Sequence, residues 1–301
     1  MHSVSELNQH YGIPGKVGFL RDDHGFIQIV VTTSLALARL ALQGAQLLHW
    51  EPVGQEPVIW LSDEARYVVG KSVRGGAPVC WPWFGPHAVH VDYPAHGFAR
   101  TTLWEPVACD VLPDGAVRLE LRLPRQAVQS EAWPYDTTLS IVAIIGATLE
   151  MDLVTQNHGV HPVTVGQALH TYFRVGDVRR VAIHGLEGCP YLDKVRQGER
   201  HIQEGPIGFS EETDRIYLDS LREVVIDDPV MQRRIRVTKQ GSASTVVWNP
   251  WVDKAAKMGD LGAEGYLRMV CVENANAADD VLILPAQGTH HLCVRYAVES
   301  F

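Results

Sequence analysis

The chain has 301 residues, 46% of them hydrophobic and 20% charged, a composition that supplies ample material for a globular core. A net charge of -9 and the lack of any Lys/Arg block argue against a nucleic-acid surface, although a few local arginines can still make a positive pocket for a small anion. The most hydrophobic segment, Ile29 to Leu48, is interrupted by Thr32, Thr33, Ser34, Arg39 and Gln43, so it is no membrane span. Met1 to Gly18 is polar and carries no apolar stretch of the signal-peptide kind.

Along the chain, short segments alternate apolar and polar residues at period two and stop at Gly, Pro or Asp turn signals. This predicts a large all-β architecture. Predicted strands run over Phe26 to Val31, Val117 to Leu123, Leu139 to Ile145, Leu149 to Thr155, Val163 to Phe173 and Val224 to Asp227. They continue over Ile235 to Thr238, Thr245 to Trp248, Tyr266 to Glu273, Val281 to Leu284 and His291 to Val298. The cleanest, Val117 to Leu123, follows the turn tripeptide Pro113-Asp114-Gly115 and ends at Pro124. Ser34 to Leu42 is rich in helix formers, yet Leu35/Leu37 and Leu40/Leu42 also repeat at two, and a strand is the expectation there. Short helices are expected at Pro124 to Ser130 and Asp253 to Met258. No repeat or linker divides residues 1–301, so one domain is expected.

Five cysteines, Cys80, Cys109, Cys189, Cys271 and Cys293, are widely spaced with no Cys-x-x-Cys; they read as reduced core thiols of a cytoplasmic protein. The stretch Val73 to His87, with the Pro94 to Arg100 segment after it, is too rich in proline, glycine and tryptophan for a helix interior or a central strand. It reads either as the rim of a pocket, with Arg74, His96 and Arg100 meeting a ligand, or as a loop whose tryptophans plug a core.

Two further residues carry candidate chemistry. Alternation puts His170 on one strand face with Ala168 and Tyr172, and Leu169, Thr171 and Phe173 on the other. A histidine there is commonly a hydrogen-bonded core residue, and alone it decides nothing. Glu273 ends an apolar run and shares a face with Cys271 and Met269, and a carboxylate facing a desolvated cavity has a raised pKa and can act as a base. Among 14 histidines, His87-x-x-His90 and His290-His291 are the close pairs; the first lacks a carboxylate or cysteine at metal-ligand spacing, and the His-Glu-x-x-His, Cys-x-x-Cys, nucleotide-binding and Gly-x-Ser-x-Gly signatures are absent.

Six collinear segments carry a resemblance: Arg74 to Gly85, His96 to Arg100, His170 to Phe173, Glu212 to Tyr217, Val247 to Trp251 and Met269 to Glu273. Together they resemble the hallmark segments of the D-hexose-6-phosphate mutarotases, or glucose-6-phosphate 1-epimerases, a branch of the aldose 1-epimerase superfamily. The resemblance implies a galactose mutarotase-like β-supersandwich of antiparallel sheets, with the sugar in a shallow cleft and neither a metal nor an organic cofactor. It also implies His170 as general acid and Glu273 as general base, with Arg74, His96, Arg100 and Asp214 holding a phosphosugar. The roles of Lys254 and Asp260 stay open, and a monomer is expected. Arg74 and Arg100 flank the loop and match a terminal phosphate, the alternative being that they pair with acidic residues such as Asp92 or Glu64. Competing readings are a noncatalytic sugar-binding sandwich, or a glycosidase or lyase, which normally needs a second acidic residue; Asp214 is the one candidate.

Overall fold

The computed structural model describes residues 2–301. Two eight-stranded antiparallel sheets and one four-stranded sheet dominate, with a two-stranded ribbon and a few short helices. The all-β expectation holds, because alternation at period two lets each strand bury one face and wet the other. Thr137–Ile145 follows this rule without exception, alternating buried and half-buried positions along its whole length.

The outer eight-stranded sheet places Thr289–Ser300 between Arg233–Gln240 and Leu149–Asn157. The inner one places Met269–Asn276 between Ser244–Asn249 and the segments Gln167–Leu169 and Tyr172–Arg174. These sheets face each other across one apolar core that also takes in the N-terminal four-stranded sheet, Val17–Arg21 through Gln46–Pro52. Polar contacts between the two sheets include Thr171 Oγ1, 2.7 Å from the Tyr296 hydroxyl, Thr155 Oγ1 donating to Gln167 Oε1 at 3.1 Å, and Asn274 Nδ2 donating to the Cys293 carbonyl at 2.8 Å.

Ser34 to Leu42 resolves as the strand Ala36–Ala41, whose central position between two neighbours overrides the helix propensity of its leucines and alanines. The expected short helices appear as Arg125–Val128 and Trp251–Lys257. Three expectations need correction. Val163 to Phe173 is three short strands rather than one: Val163–Val165 pairs with Leu282–Leu284, the chain passes to the inner sheet at Gly166, and it breaks again where Thr171 N bonds back to the Leu169 carbonyl. Tyr266 begins in a 3-10 turn, Gly265–Arg268, and the strand starts at Met269. Val4–Tyr11 is a helix that periodicity did not reveal, closed at its N-terminus by a reciprocal Ser3/Glu6 capping box.

The contact between Thr171 and Tyr296 is wholly buried, and without it the Thr171 hydroxyl keeps only a longer bond, 3.4 Å, to the Leu169 carbonyl. Tyr296→Phe is expected to lower the unfolding free energy by about 0.5–1.5 kcal/mol in chemical denaturation, the net worth of one hydrogen bond. A midpoint equal to wild type would mean that the hydroxyl pair adds nothing to joining the sheets.

Candidate functional site

The inner sheet turns one face away from the core, and its register determines what that face carries. Leu169 pairs with Asn274 and Tyr172 with Cys271 in one antiparallel ladder, which sets His170 directly across from Glu273. The same row continues outward, since Glu273 pairs with Val246 and Val246 with Ile216. One row along, Tyr172 pairs with Cys271, Cys271 with Trp248, and Trp248 with Asp214. These two rows floor a cleft of about 640 Å³. Residues from the Arg74 to Arg100 segment line it as well, together with Lys194 and Lys254.

All six residues singled out from the sequence, Arg74, His96, Arg100, His170, Asp214 and Glu273, line this one cleft. His170 Nε2 lies 3.3 Å from Glu273 Oε1, with the side chains 13% and 1% exposed. The imidazole can therefore be touched from the cleft, while the carboxyl is almost sealed beneath it. Its ring stacks on Tyr172 at 5.0 Å and meets Trp248 edge-on at 6.0 Å, which leaves little rotational freedom. Neither Glu273 Oε2 nor His170 Nδ1 has a hydrogen-bond partner among the described residues. Two buried, unpartnered atoms beside a cleft are available to a polar ligand.

Burial acts on both members of the pair. It pushes the Glu273 carboxyl well above its ordinary range, helped by the Asp214 charge and opposed by Arg100. It pulls the His170 imidazole well below its ordinary range, with His96, Arg100 and Arg74 adding in the same direction. Both trends favour a pair that is neutral overall and shares one dissociable proton, which can be taken at one atom and returned at the other. His96 is held neutral, its pKa down to about 3 through burial and the neighbouring Arg100 and Lys194 charges. Asp214 is raised by burial, against the pull of Lys254 and Lys194.

The loop that carries Arg74 and Arg100 combines the two alternatives left open by its composition. Trp81 is fully buried and packs on Phe98 and Trp133, plugging the core as a structural tryptophan would. Phe84, Gly85 and Pro86 turn out to the cleft. The crossing is tight: Gly97, at φ 71°, passes the Trp81 carbonyl so closely that a Cβ would lie 1.9 Å from the oxygen. That passage brings His96 over the site, its Nδ1 accepting from Gly85 N at 3.3 Å.

The arginines do not pair with Asp92 or Glu64. Arg74 Nε donates to Asp260 at 3.1 Å and its Nη1 to the Tyr172 hydroxyl at 3.1 Å. Although burial alone would weaken its charge, these two partners hold the guanidinium firmly protonated. Arg100 instead donates to the Ala95 carbonyl at 2.8 Å, with no carboxylate within ion-pair reach among the described residues. Of the two residues whose roles stayed open, Asp260 is the Arg74 partner, and Lys254 lines the cleft while bound to Glu212 at 2.6 Å and 4.0 Å from Asp214. Lys194 was not anticipated. It sits in a turn with no motif of its own, and only the bond from its backbone N–H to the Asp214 carbonyl brings it to the cleft.

The aldose 1-epimerase family profile matches residues 28–296. The chain belongs to that family. It is 40% identical over 263 residues, 87% of each chain, to an Escherichia coli (strain K12) protein named "Putative glucose-6-phosphate 1-epimerase". A Salmonella typhimurium protein of the same name is 40% identical over 250 residues, 83% of each chain. Among solved structures, the "putative mutarotase (YeaD)" of Salmonella typhimurium superposes with a TM-score of 0.88 at 34% identity, covering 100% of both chains. The chain is thus an isomerase of the aldose 1-epimerase family with the galactose mutarotase-like fold.

The buried carboxyl also makes a pH signature. Glu273 has a folded-state pKa raised above its ordinary 4.5, so the stability tied to its neutral form is complete below 4.5 and falls as the pH climbs toward the raised value. Glutamine does not titrate. The stability difference between Glu273→Gln and wild type should therefore move in favour of the variant as pH rises above 4.5, read from denaturation midpoints across a pH series. A difference independent of pH would show that the carboxyl titrates normally in the fold.

Proposed function

We infer that this aldose 1-epimerase family member interconverts the α and β anomers of hexose 6-phosphates, the activity of a glucose-6-phosphate 1-epimerase. The observation that carries the reading is the His170–Glu273 pair at 3.3 Å beneath a cleft walled by cations. The names of the 40% identical relatives support the same substrate class.

Anomer exchange removes the proton from the C1 hydroxyl and protonates the ring oxygen, so the C1–O5 bond breaks and an open-chain aldehyde forms. Rotation about C1–C2 and reclosure on the other carbonyl face complete the cycle. In this reading Glu273 takes the hydroxyl proton and His170 supplies the ring oxygen with one; reclosure reverses both transfers. The pair carries one proton at the start, on His170, and one at the end, on Glu273; burial alone favours the second arrangement, so the first has to be drawn out by the bound sugar. Water already carries out this exchange slowly, so an acid and a base worth about 10²–10⁴-fold each suffice without a covalent intermediate. His96 and Asp214 flank the pair in the cleft and hold sugar hydroxyls, the neutral imidazole, whose Nδ1 already accepts from Gly85 N, offering its Nε2–H as a donor and the carboxylate offering acceptors.

The phosphate handle rests on cations that are free to take it. Arg74 already faces Asp260, whereas Arg100 and Lys194 have no acidic partner within 4.0 Å among the described residues. Arg100 and Lys194 supply most of the phosphate attraction, and Arg74 adds to it while also fixing Tyr172, on which His170 stacks. Free thiols at all five cysteines support a reducing, cytoplasmic setting, and no helix among the described residues is long and apolar enough to cross a membrane.

Exchange NMR on glucose 6-phosphate tests the activity. Wild-type protein should accelerate α/β exchange, and Glu273→Gln should lose about 10²–10⁴-fold while retaining substrate binding. Exchange unchanged by wild-type protein would refute the enzymatic reading, and full activity in the glutamine variant would refute the base. Substrate class has its own test. Arg100→Ala should reduce kcat/KM for glucose 6-phosphate by about 1.5–3 kcal/mol, the worth of a charged hydrogen bond, and leave free glucose nearly unchanged. Equal proportional losses on both sugars would make Arg100 a structural residue.

A further inference from the structure

Asp152, His291 and Cys293 meet on the outer sheet, on the strand face opposite the core. Cys293 is the direct cross-strand partner of Asp152, and His291, two residues earlier, projects to the same side. Core residues Leu153, Leu292 and Val294 of the same two strands point the other way. Cys293 Sγ donates to Asp152 Oδ1 at 3.1 Å, and His291 Nδ1 lies 2.8 Å from Asp152 Oδ2. One oxygen, one nitrogen and one sulfur atom thus converge within 4.8 Å of one another.

We propose that these three side chains bind a zinc-type divalent ion, a site separate from the sugar cleft. Zinc accepts O, N and S ligands at about 2.0–2.3 Å, so three donors this close can reach one ion with small side-chain adjustments. A thiol with an imidazole selects such a borderline-soft ion over magnesium or calcium, which require oxygen shells. On binding, the Cys293 thiol releases its proton to solvent as sulfur becomes a ligand, and the imidazole coordinates in its neutral form. The nearby Arg295 cation does not oppose the ion, because Glu150 pairs with it at 3.2 Å. The fourth coordination position opens onto a groove of about 400 Å³ lined by Val142, Thr238 and Gln240, where water completes the shell.

Sequence spacing hides this site, since Asp152 is 139 residues from His291 and 141 from Cys293. The ion ties Leu149–Asn157 to Thr289–Ser300 across the middle of the outer sheet. Its effect is stabilisation of the folded chain by mass action, with no part in proton transfer.

Cobalt(II) titration of chelator-treated full-length protein tests the proposal, with thiolate-to-cobalt charge-transfer absorption as the readout. Because His170, Cys271 and Glu273 also lie within 4.8 Å of one another, the variants must separate the two clusters. Wild type and Cys271→Ala should each bind one equivalent with the thiolate band. Cys293→Ser should lose the band, and Asp152→Asn should weaken binding by at least about tenfold, the loss that removing even an outer-shell partner causes. Zinc should raise the thermal midpoint of wild type but not of Cys293→Ser, whose anomer exchange stays at the wild-type rate. A band that survives Cys293→Ser, a band that disappears with Cys271→Ala alone, or no cobalt binding at micromolar concentration would each overturn it.

Discussion

The site depends on the register of one antiparallel pairing, between Gln167–Arg174 and Met269–Asn276. With Leu169 opposite Asn274 and Tyr172 opposite Cys271, His170 and Glu273 become neighbours and both face the cleft. A slip of one residue would exchange faces, placing Thr171 in the cleft and His170 in the core. The register is pinned from behind, where Phe173 meets Tyr296 edge-on at 5.1 Å and Thr171 bonds the same tyrosine. It is pinned at the edge as well: His170 N donates to the Pro78 carbonyl and Tyr172 N to the Gly76 carbonyl, both at 2.9 Å. Core packing on one face of the strand therefore fixes proton-transfer geometry on the other.

A cost accompanies this arrangement. Burying a carboxyl with one oxygen unpartnered, beside an imidazole with one nitrogen unpartnered, opposes folding. The aromatic shell of Tyr172 and Trp248 adds to the desolvation and yet holds the imidazole ring in place. Conflict between local stability and site chemistry is what a functional position looks like in an otherwise consistent sheet protein, and it is concentrated here in two residues. The extended core joining the sheets, from Ile29 to Tyr296, offsets it.

Much of this was legible in the residue order, and the failures have physical causes. Period-two alternation assigned the correct faces to His170, Tyr172 and Phe173, because a strand fixes side-chain direction whatever its partners are. Collinear motifs gathered the six site residues before any geometry was available. Pairing across the chain was not legible: the Arg74 partner Asp260 is 186 residues away, and no spacing rule connects them. The loop tryptophans also diverged, Trp81 into the core and Trp83 to a bond with the Pro94 carbonyl at 3.0 Å, while Trp248 lines the cleft. The thiols split too, Cys80, Cys189 and Cys271 lying buried as expected and Cys109 and Cys293 only partly so.

Charge distribution carries the last step. A chain of net charge -9 repels a phosphosugar at long range, so recognition has to come from cations whose field is not already cancelled. Of four cationic side chains around the cleft, Arg74 and Lys254 are joined to Asp260 and Glu212, which fixes their positions and cancels much of their attraction internally. Arg100 and Lys194 retain theirs, and both add to the burial that holds the His96 imidazole in its neutral form. The same two charges therefore do two things. They attract a dianion to the cleft, and they reinforce the burial that keeps the histidine beside them an uncharged hydrogen-bonding group instead of a third cation. A bound phosphate would relax that pressure on His96, which couples phosphate occupancy to the protonation of the cleft through plain Coulomb interaction.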